Sequence, residues 1–170
     1  MALIDSSGRV IEDRWTYPDA TENDEARPWY VIPLDVLTAV ASATILERPI
    51  GASVAAGGTA DHVAPWLDKL DLVVVEFPKF RDGRGFTVAR ALREKHGYRG
   101  DIRAIGHVLP DQFSALVQCG FSSIVTPPDH PPEQWRQGDA PMPTGSGGGP
   151  LLRRLIGRAA VAPVNGEDRT

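Results

Sequence analysis

The sequence predicts an α/β fold built on one mainly parallel sheet, and three observations carry the prediction. Apolar, β-branched runs alternate with segments of helical spacing across residues 29–127. The links between them are short, and four or five successive strand-to-helix steps with short links imply parallel pairing through right-handed crossovers. One run, LDLVVVEF, is continuously apolar instead of alternating, as expected of a strand covered on both faces. An open sheet and a partial (β/α) barrel both satisfy this pattern.

Each element follows in order. The opening ALIDSSGRVIEDRWTY sets short apolar segments on either side of Ser7-Gly8, a hairpin within residues 1–17. Residues 18–28, acidic and bounded by Pro18 and Pro28, read as an exposed connection. WYVIPL gives a strand near 30–33, and Asp35 is placed to cap a helix that runs to about Glu47 and stops before Pro49. IGASVAA gives a strand near 51–56. Gly57-Gly58, which reads as a plain turn or else as a phosphate-holding one, then leads the chain into a short helix capped by Asp61, with Val63, Trp66, Leu67 and Leu70 on one face. The strand at 71–77 carries VVVEF and is expected among the central members of the sheet. From Phe86 to His96 the spacing is helical: Phe86, Ala89, Leu92 and His96 share a face, Gly97 is the stop, and Arg90, Arg93 and Lys95 turn outward or sideways. DIRAIGH (strand 102–107), a helix from Asp111 to Cys119 ended by Gly120, and FSSIVTP (strand 121–126) complete the domain. Beyond Pro127, PPDHPP and GDAPMPTGSGGGP lack the apolar content of a packed core. Residues 128–170 are expected to form a linker and flexible tail, in which LLRRLIGRAAV at 151–161 has the pattern of a short basic amphipathic helix.

Composition narrows the chemistry. With 170 residues, 42% hydrophobic and 24% charged, the chain has ordinary globular proportions and is long enough to bury a core. The formal charge of -4 conceals an asymmetry: residues 1–30 hold seven acids against three arginines, while 79–103 hold eight Lys/Arg against three acids. Cys119 is the single cysteine, which excludes an internal disulfide and any cysteine-based zinc or iron–sulfur site made by this chain alone. A reducing, cytoplasmic setting is expected. No signal-like N-terminus or 18-residue apolar run predicts export or a membrane span, and no nucleic-acid partner is expected.

The basic region centres on EFPKFRDGRGF, residues 76–86, where a strand hands over to a helix. Ligands of parallel sheets bind beyond the carboxyl ends of the strands, at helix N-termini. Gly83 and Gly85 allow close backbone approach, and Lys79, Arg81 and Arg84 add positive charge suited to a small anion. The same residues also make a sound turn, with Asp82 as helix cap and the arginines solvated or paired. Glu76 and His107 fall at strand ends where acid–base groups are often placed, although Glu76 is equally an ion-pair partner for Arg103. Cys119 reads as a small buried hydrophobe. No metal is expected, since His62, His96 and His130 lack ligand spacing. No redox cofactor is expected either: Val88 stands where a third dinucleotide-fingerprint glycine belongs, and no Walker motif is present.

The stretch VVVEFPKFRDGRGFTVARALREKHGYRGDIRAIGHVLPDQFSALVQCGFSSI closely resembles a bacterial domain-of-unknown-function family encoded beside sulfite reductase in sulfate-assimilation (cysteine-biosynthesis) operons. The family's marks fall on Glu76 to Arg84, Ala89 to Arg93, Arg103 to Gly106, Val108 to Gln112 and Cys119 to Phe121. The opening ALIDSSGRVIEDRW resembles the family's usual start, which extends the resemblance from residue 2 to about 126. His107 and Pro110 depart from its pattern. The resemblance implies an accessory or regulatory protein of assimilatory sulfite reduction, in a family labelled an oxidoreductase from its genomic setting. It implies a small oxyanion or the sulfite (or nitrite) reductase itself as partner, met at Lys79, Asp82, Gly83, Arg84, Arg103, Asp111 and Gln112. An enzyme acting on a sulfur oxyanion through Glu76, His107 or Asp111, and a non-catalytic interaction module, are the alternatives. Arg84 and Arg103 are expected to share one site, held by Asp82.

Overall fold

LVVVEF forms an interior strand because both of its faces are buried. In the computed structural model, which describes residues 1–17, 28–40, 47–79 and 81–135, β5 (Leu72–Phe77) lies between β4 (Ile50–Val54) and β6 (Asp101–Gly106) and is parallel to both. The full sheet runs β2-β1-β7-β6-β5-β4-β3, with β1 at Leu3–Asp5, β2 at Val10–Ile11, β3 at Tyr30–Pro33 and β7 at Ser123–Val125. β1 is antiparallel to β2 and β7, and β3 to β7 are parallel throughout. The sheet is open, which decides between the two predicted architectures. The N-terminal hairpin is part of this sheet. Its turn is closed by Asp5, whose carboxylate accepts the Ser7 amide at 2.8 Å, the Ser7 hydroxyl at 2.6 Å and the Arg9 amide at 3.0 Å.

Strands β3 to β7 follow one another across the sheet without reversal. Right-handed crossovers therefore lay the described helices between these strands on the same face. The core confirms it: α1 (Leu34–Val40), α2 (Ala60–Val63), α3 (Arg84–Glu94) and α4 (Phe113–Gln118) bring Leu37, Val63, Ala89, Leu92 and Leu116 against Val73, Val75, Phe77, Ile102 and Ala104. The other face buries Val31, Leu72 and Val74 beneath Trp15. It is served by the segment after β2. Thr16 forms a parallel bridge with Tyr30, at the edge opposite β2. Six strand-to-strand steps of about 4.8 Å would separate β2 from β3 by about 29 Å in a flat sheet, while the five residues from Ile11 to Thr16 reach at most about 18 Å. The sheet must curl, and the face under the strap is concave.

Several boundaries shift for local reasons. Helix α1 starts at Leu34, directly after β3, so Asp35 lies in its first turn and is not the cap; residues 41–46 of the predicted helix lie outside the described residues. Thr59 holds the N-cap position of α2, with Asp61 inside the helix. Strand β4 ends at Val54, where Ala55 and Gly58 close a turn. The helix expected from Asp111 is a 3-10 turn, Pro110–Gln112, before α4. Residues 18–27 of the predicted connection and the basic segment 151–161 lie outside the described residues, all of which belong to the compact unit Met1–Gly138. Part of the predicted linker is folded instead: Pro132–Trp135 form a 3-10 turn that buries Trp135 in the core against Phe113. Among the described residues no helix is long and apolar enough to cross a membrane.

Arg93 takes the sideways course, one of the two directions the sequence allowed. Instead of turning outward, it donates from Nε to the Gly120 carbonyl at 2.9 Å and from Nη1 to the carbonyls of Tyr98 and Gly100, both at 2.8 Å. Desolvation is the main influence on its charge and lowers its pKa. One fork thus satisfies the ends of two loops, and no lysine can match its geometry. Arg90 similarly reaches the buried Cys119 Sγ at 3.4 Å. Arg93→Ala is expected to destabilise the protein by about 3 kcal/mol, because three carbonyls lose their donor, and Arg93→Lys to recover less than half of that. Urea unfolding midpoints check both.

Candidate functional site

The carboxyl ends of β4 and β5 are neighbours, and the loops that follow them meet. After β4 the chain turns at Gly57, whose φ of +94° is left-handed. A Cβ at Gly58 would lie 2.5 Å from Val54 Cγ1 and 3.1 Å from the Ala55 carbonyl. After β5, the Asp82 carboxylate accepts the Arg84 amide at 3.2 Å and grips its guanidinium through Nε at 2.9 Å and Nη2 at 2.6 Å. Asp82 thus reaches the first amide of α3, while Gly83 holds the N-cap position without a side-chain bond. Hydrogen bonds from Arg84, side chain first and amide second, hold the Asp82 carboxyl down at about 2. Arg84 Nη1 faces Gly57, where a Cβ would stand 3.5 Å away.

Between the two loops and helices α2 and α3 lies a cleft of about 340 Å³, bordered by Gly57, Gly58, Thr59, Asp61, Arg84 and Lys95. A water-sized crevice beside it reaches Glu76 and Asp82. Both cations are held by partners: Lys95 donates to Asp61 at 2.7 Å, and Asp61 also meets His96 Nε2 at 2.9 Å. Lys95, and then His96, keep the Asp61 carboxyl below its ordinary range. The Arg84 and Lys95 side chains are nevertheless 66% and 60% exposed. Ion pairs so open to water contribute little. They orient the two cations without removing them from a ligand's reach.

The structure does not bring the other predicted residues together here. Lys79 is exposed ahead of the turn, and its carbonyl accepts the Asp82 amide at 3.0 Å. Asp111 is exposed in the 3-10 turn, which Gln112 closes by accepting the Leu109 amide at 3.0 Å. Glu76 is exposed at the end of β5, and His107 is exposed just past β6, where its amide donates to the Phe77 carbonyl at 2.8 Å.

Arg103 lies apart from Arg84, and the expected shared site is not formed. In register with Val74, its side chain enters the concave face and is 3% exposed. It donates to Ser123 Oγ at 3.0 Å, Asp13 Oδ1 at 2.8 Å, Tyr17 Oη at 2.6 Å and Asp101 Oδ2 at 3.2 Å. Burial works against its charge, and these partners outweigh it, so the guanidinium is raised above its ordinary value. The Glu76–Arg103 pair allowed by the sequence is likewise absent, since Asp13 and Asp101 take its place. Asp13 and Tyr17 went unremarked in the sequence; their only signal is the alternation Asp13, Trp15, Tyr17 of an extended strand. The Gly57-Gly58 turn, too, becomes part of the site only when the fold sets it against Arg84.

Arg103→Met is expected to cost about 3 kcal/mol, because two carboxylates lose a buried partner. It should leave ligand binding at Arg84 unchanged. Chemical denaturation together with anion titration of the folded variant checks both halves.

Comparison with known proteins matches residues 51–143 to a family described as bacterial protein of unknown function (DUF934). The match begins at β4, short of the hairpin and strap. No curated protein matches the chain.

Proposed function

The chain belongs to the bacterial DUF934 family, and we propose that it is an accessory or regulatory protein of assimilatory sulfite reduction that holds a small oxyanion in the cleft between α2 and α3. The observation that carries the anion reading is the meeting of Arg84 with the Gly57 turn at the start of an eleven-residue helix. A guanidinium, a side-chain-free turn and the positive end of a helix dipole all favour negative charge at one place. The link to sulfite rests on the resemblance of Glu76 to Arg84 and the later motifs to the family encoded beside sulfite reductase. An acidic patch of the reductase would meet the same cations, so partner docking and oxyanion binding use one chemistry.

A catalytic reading has less support in the geometry. Glu76 borders the crevice beside Arg84, His107 stands at the end of β6 and Asp111 in a separate turn. Among the described residues no hydrogen bond joins any two of them.

Asp82 makes the proposal testable, because its carboxylate occupies the place an anion would take. Arg84→Ala is expected to weaken binding of sulfite, sulfate or phosphate roughly 10- to 100-fold, the worth of a charged hydrogen bond. Asp82→Asn should tighten it by removing the competing charge. Since folding lowers the Asp82 pKa to about 2, its pairing contributes stability fully above the unfolded carboxylate range, near pH 4, and loses it as pH falls toward 2. Anion affinity should therefore show no Asp82 titration between pH 5 and 8. Isothermal calorimetry decides this, and unchanged affinity in Arg84→Ala sinks the anion site. For the biological role, the isolated protein should not consume sulfite with common electron donors, while its deletion should slow growth on sulfite as the sulfur source.

A further inference from the structure

The concave face has its own opening. A cavity of about 620 Å³ lies at its mouth, bordered by Met1, Leu3, Asp13, Tyr17, Ile105, His107, Val125, Pro127, Pro128 and Asp129 among others. That volume is within the range of small-molecule sites, which are mostly apolar with a few placed polar groups. Its position fits as well: Ile105 and Val125 are the last inward residues of β6 and β7, at the carboxyl end where parallel sheets present ligands. None of these residues borders the cleft at Arg84.

Two features preform the walls. The end of β6 is fixed by Gly106, whose φ of +95° and close approach to the Phe77 carbonyl admit no side chain, and by the His107 amide on that same carbonyl. The start of the chain is fixed to the end of β7, where the Ala2 amide donates to Thr126 Oγ1 at 3.2 Å and the Thr126 amide to the Ala2 carbonyl at 2.8 Å.

The polar groups select a charge. Asp13 and Asp129 border the cavity, and no lysine or arginine does among the described residues. Arg103 stands behind it but is buried, with its fork already committed to Ser123, Asp13, Tyr17 and Asp101. Tyr17 remains a neutral phenol, since burial raises its pKa against the influence of Arg103. The cavity thus offers apolar walls, two carboxylates and an imidazole; Met1, which carries the chain-terminal ammonium, also borders it but is 90% exposed.

We propose that this cavity is a second binding site, independent of the one at Arg84, for a small organic ammonium compound with an apolar body. The apolar part would lie against Leu3, Ile105, Val125 and Pro127, and the ammonium group toward Asp13 and Asp129.

The test uses the full ¹⁵N-labelled chain, with phenethylammonium as probe and 3-phenylpropionate as its matched anion. Phenethylammonium at millimolar concentration is expected to shift the amides of Ile105, Gly106, His107 and Val125, and to do so equally in Arg84→Ala. Val125→Trp, which fills the cavity, should weaken it by about tenfold or more, and Asp129→Asn, on the exposed rim, by a few-fold. 3-Phenylpropionate should leave these amides unmoved. No saturable shift with the ammonium compound, equal binding of the anion, or full affinity in a folded Val125→Trp would overturn the proposal. If Val125→Trp does not fold, the Asp129→Asn titration decides, and unchanged affinity there counts against the site. Because Arg84→Ala is a separate arm, loss of the oxyanion reading and loss of this one are distinguishable.

Discussion

The handedness of the βαβ crossover governs the rest of this chain. Since β3 to β7 run in sequence order across the sheet, every crossover helix among the described residues is laid on one face, and no reversal sends one to the other. Yet Val31, Leu72 and Val74 make that second face too apolar to be left in water. The strap after β2 is the chain's answer. Trp15 lies over Gly51, where a Cβ would come within 3.1 Å of the indole, and it meets Trp29 edge-on with centroids 5.3 Å apart. A glycine in the middle of a buried strand is costly in itself, and here it makes room for the cover.

Arg103 fixes the register of that cover. Removing a guanidinium from water beside two half-buried carboxylates is expensive and is offset only by near-complete hydrogen bonding. This network approaches that: Asp101 accepts from Arg103, from Ser122 Oγ at 2.5 Å and from Ser123 Oγ at 2.9 Å, while Asp13 comes from the strap. In an extended segment alternate residues face the sheet, so a slip by one residue would turn Asp13, Trp15 and Tyr17 outward together. The ion pair therefore serves to select one alignment of strap on sheet, a role for which buried charges are well suited.

What the sequence revealed divides along this same line. VVVEF was readable as an interior strand because burial on both faces leaves a continuous apolar run, and the helices were readable because each has one core face. Those are local patterns. The direction of Arg93 was not, since a long side chain at the margin of a helix is free to turn either to water or to nearby carbonyls, and only the placement of Tyr98, Gly100 and Gly120 settles it. Arg103 was singled out as a binding residue, but its partner Asp13 is ninety positions away along the chain. No spacing rule connects them before the curl of the sheet is known. For the same reason the plain-turn reading of Gly57-Gly58 outweighed the phosphate-holding one until the fold set Arg84 against it.

The two concavities follow from an open sheet without a switch point. In a doubly wound sheet a single crevice opens where the strand order reverses; here the order never reverses, and the carboxyl end offers one concavity on the helix side and another on the strap side. Between them stand β5 and β6, whose Val75, Phe77 and Ala104 face the helices while Val74 and Arg103 face the strap. That wall is close-packed and of low dielectric. The charges on its two sides also differ in kind: exposed cations held in loose pairs toward α2 and α3, and carboxylates over a fully committed guanidinium under the strap. Coupling between two sites requires an element with two arrangements that both ligands bias. The strand pair between these concavities shows one well-satisfied arrangement, so occupancy of one gives no physical reason for the other to respond.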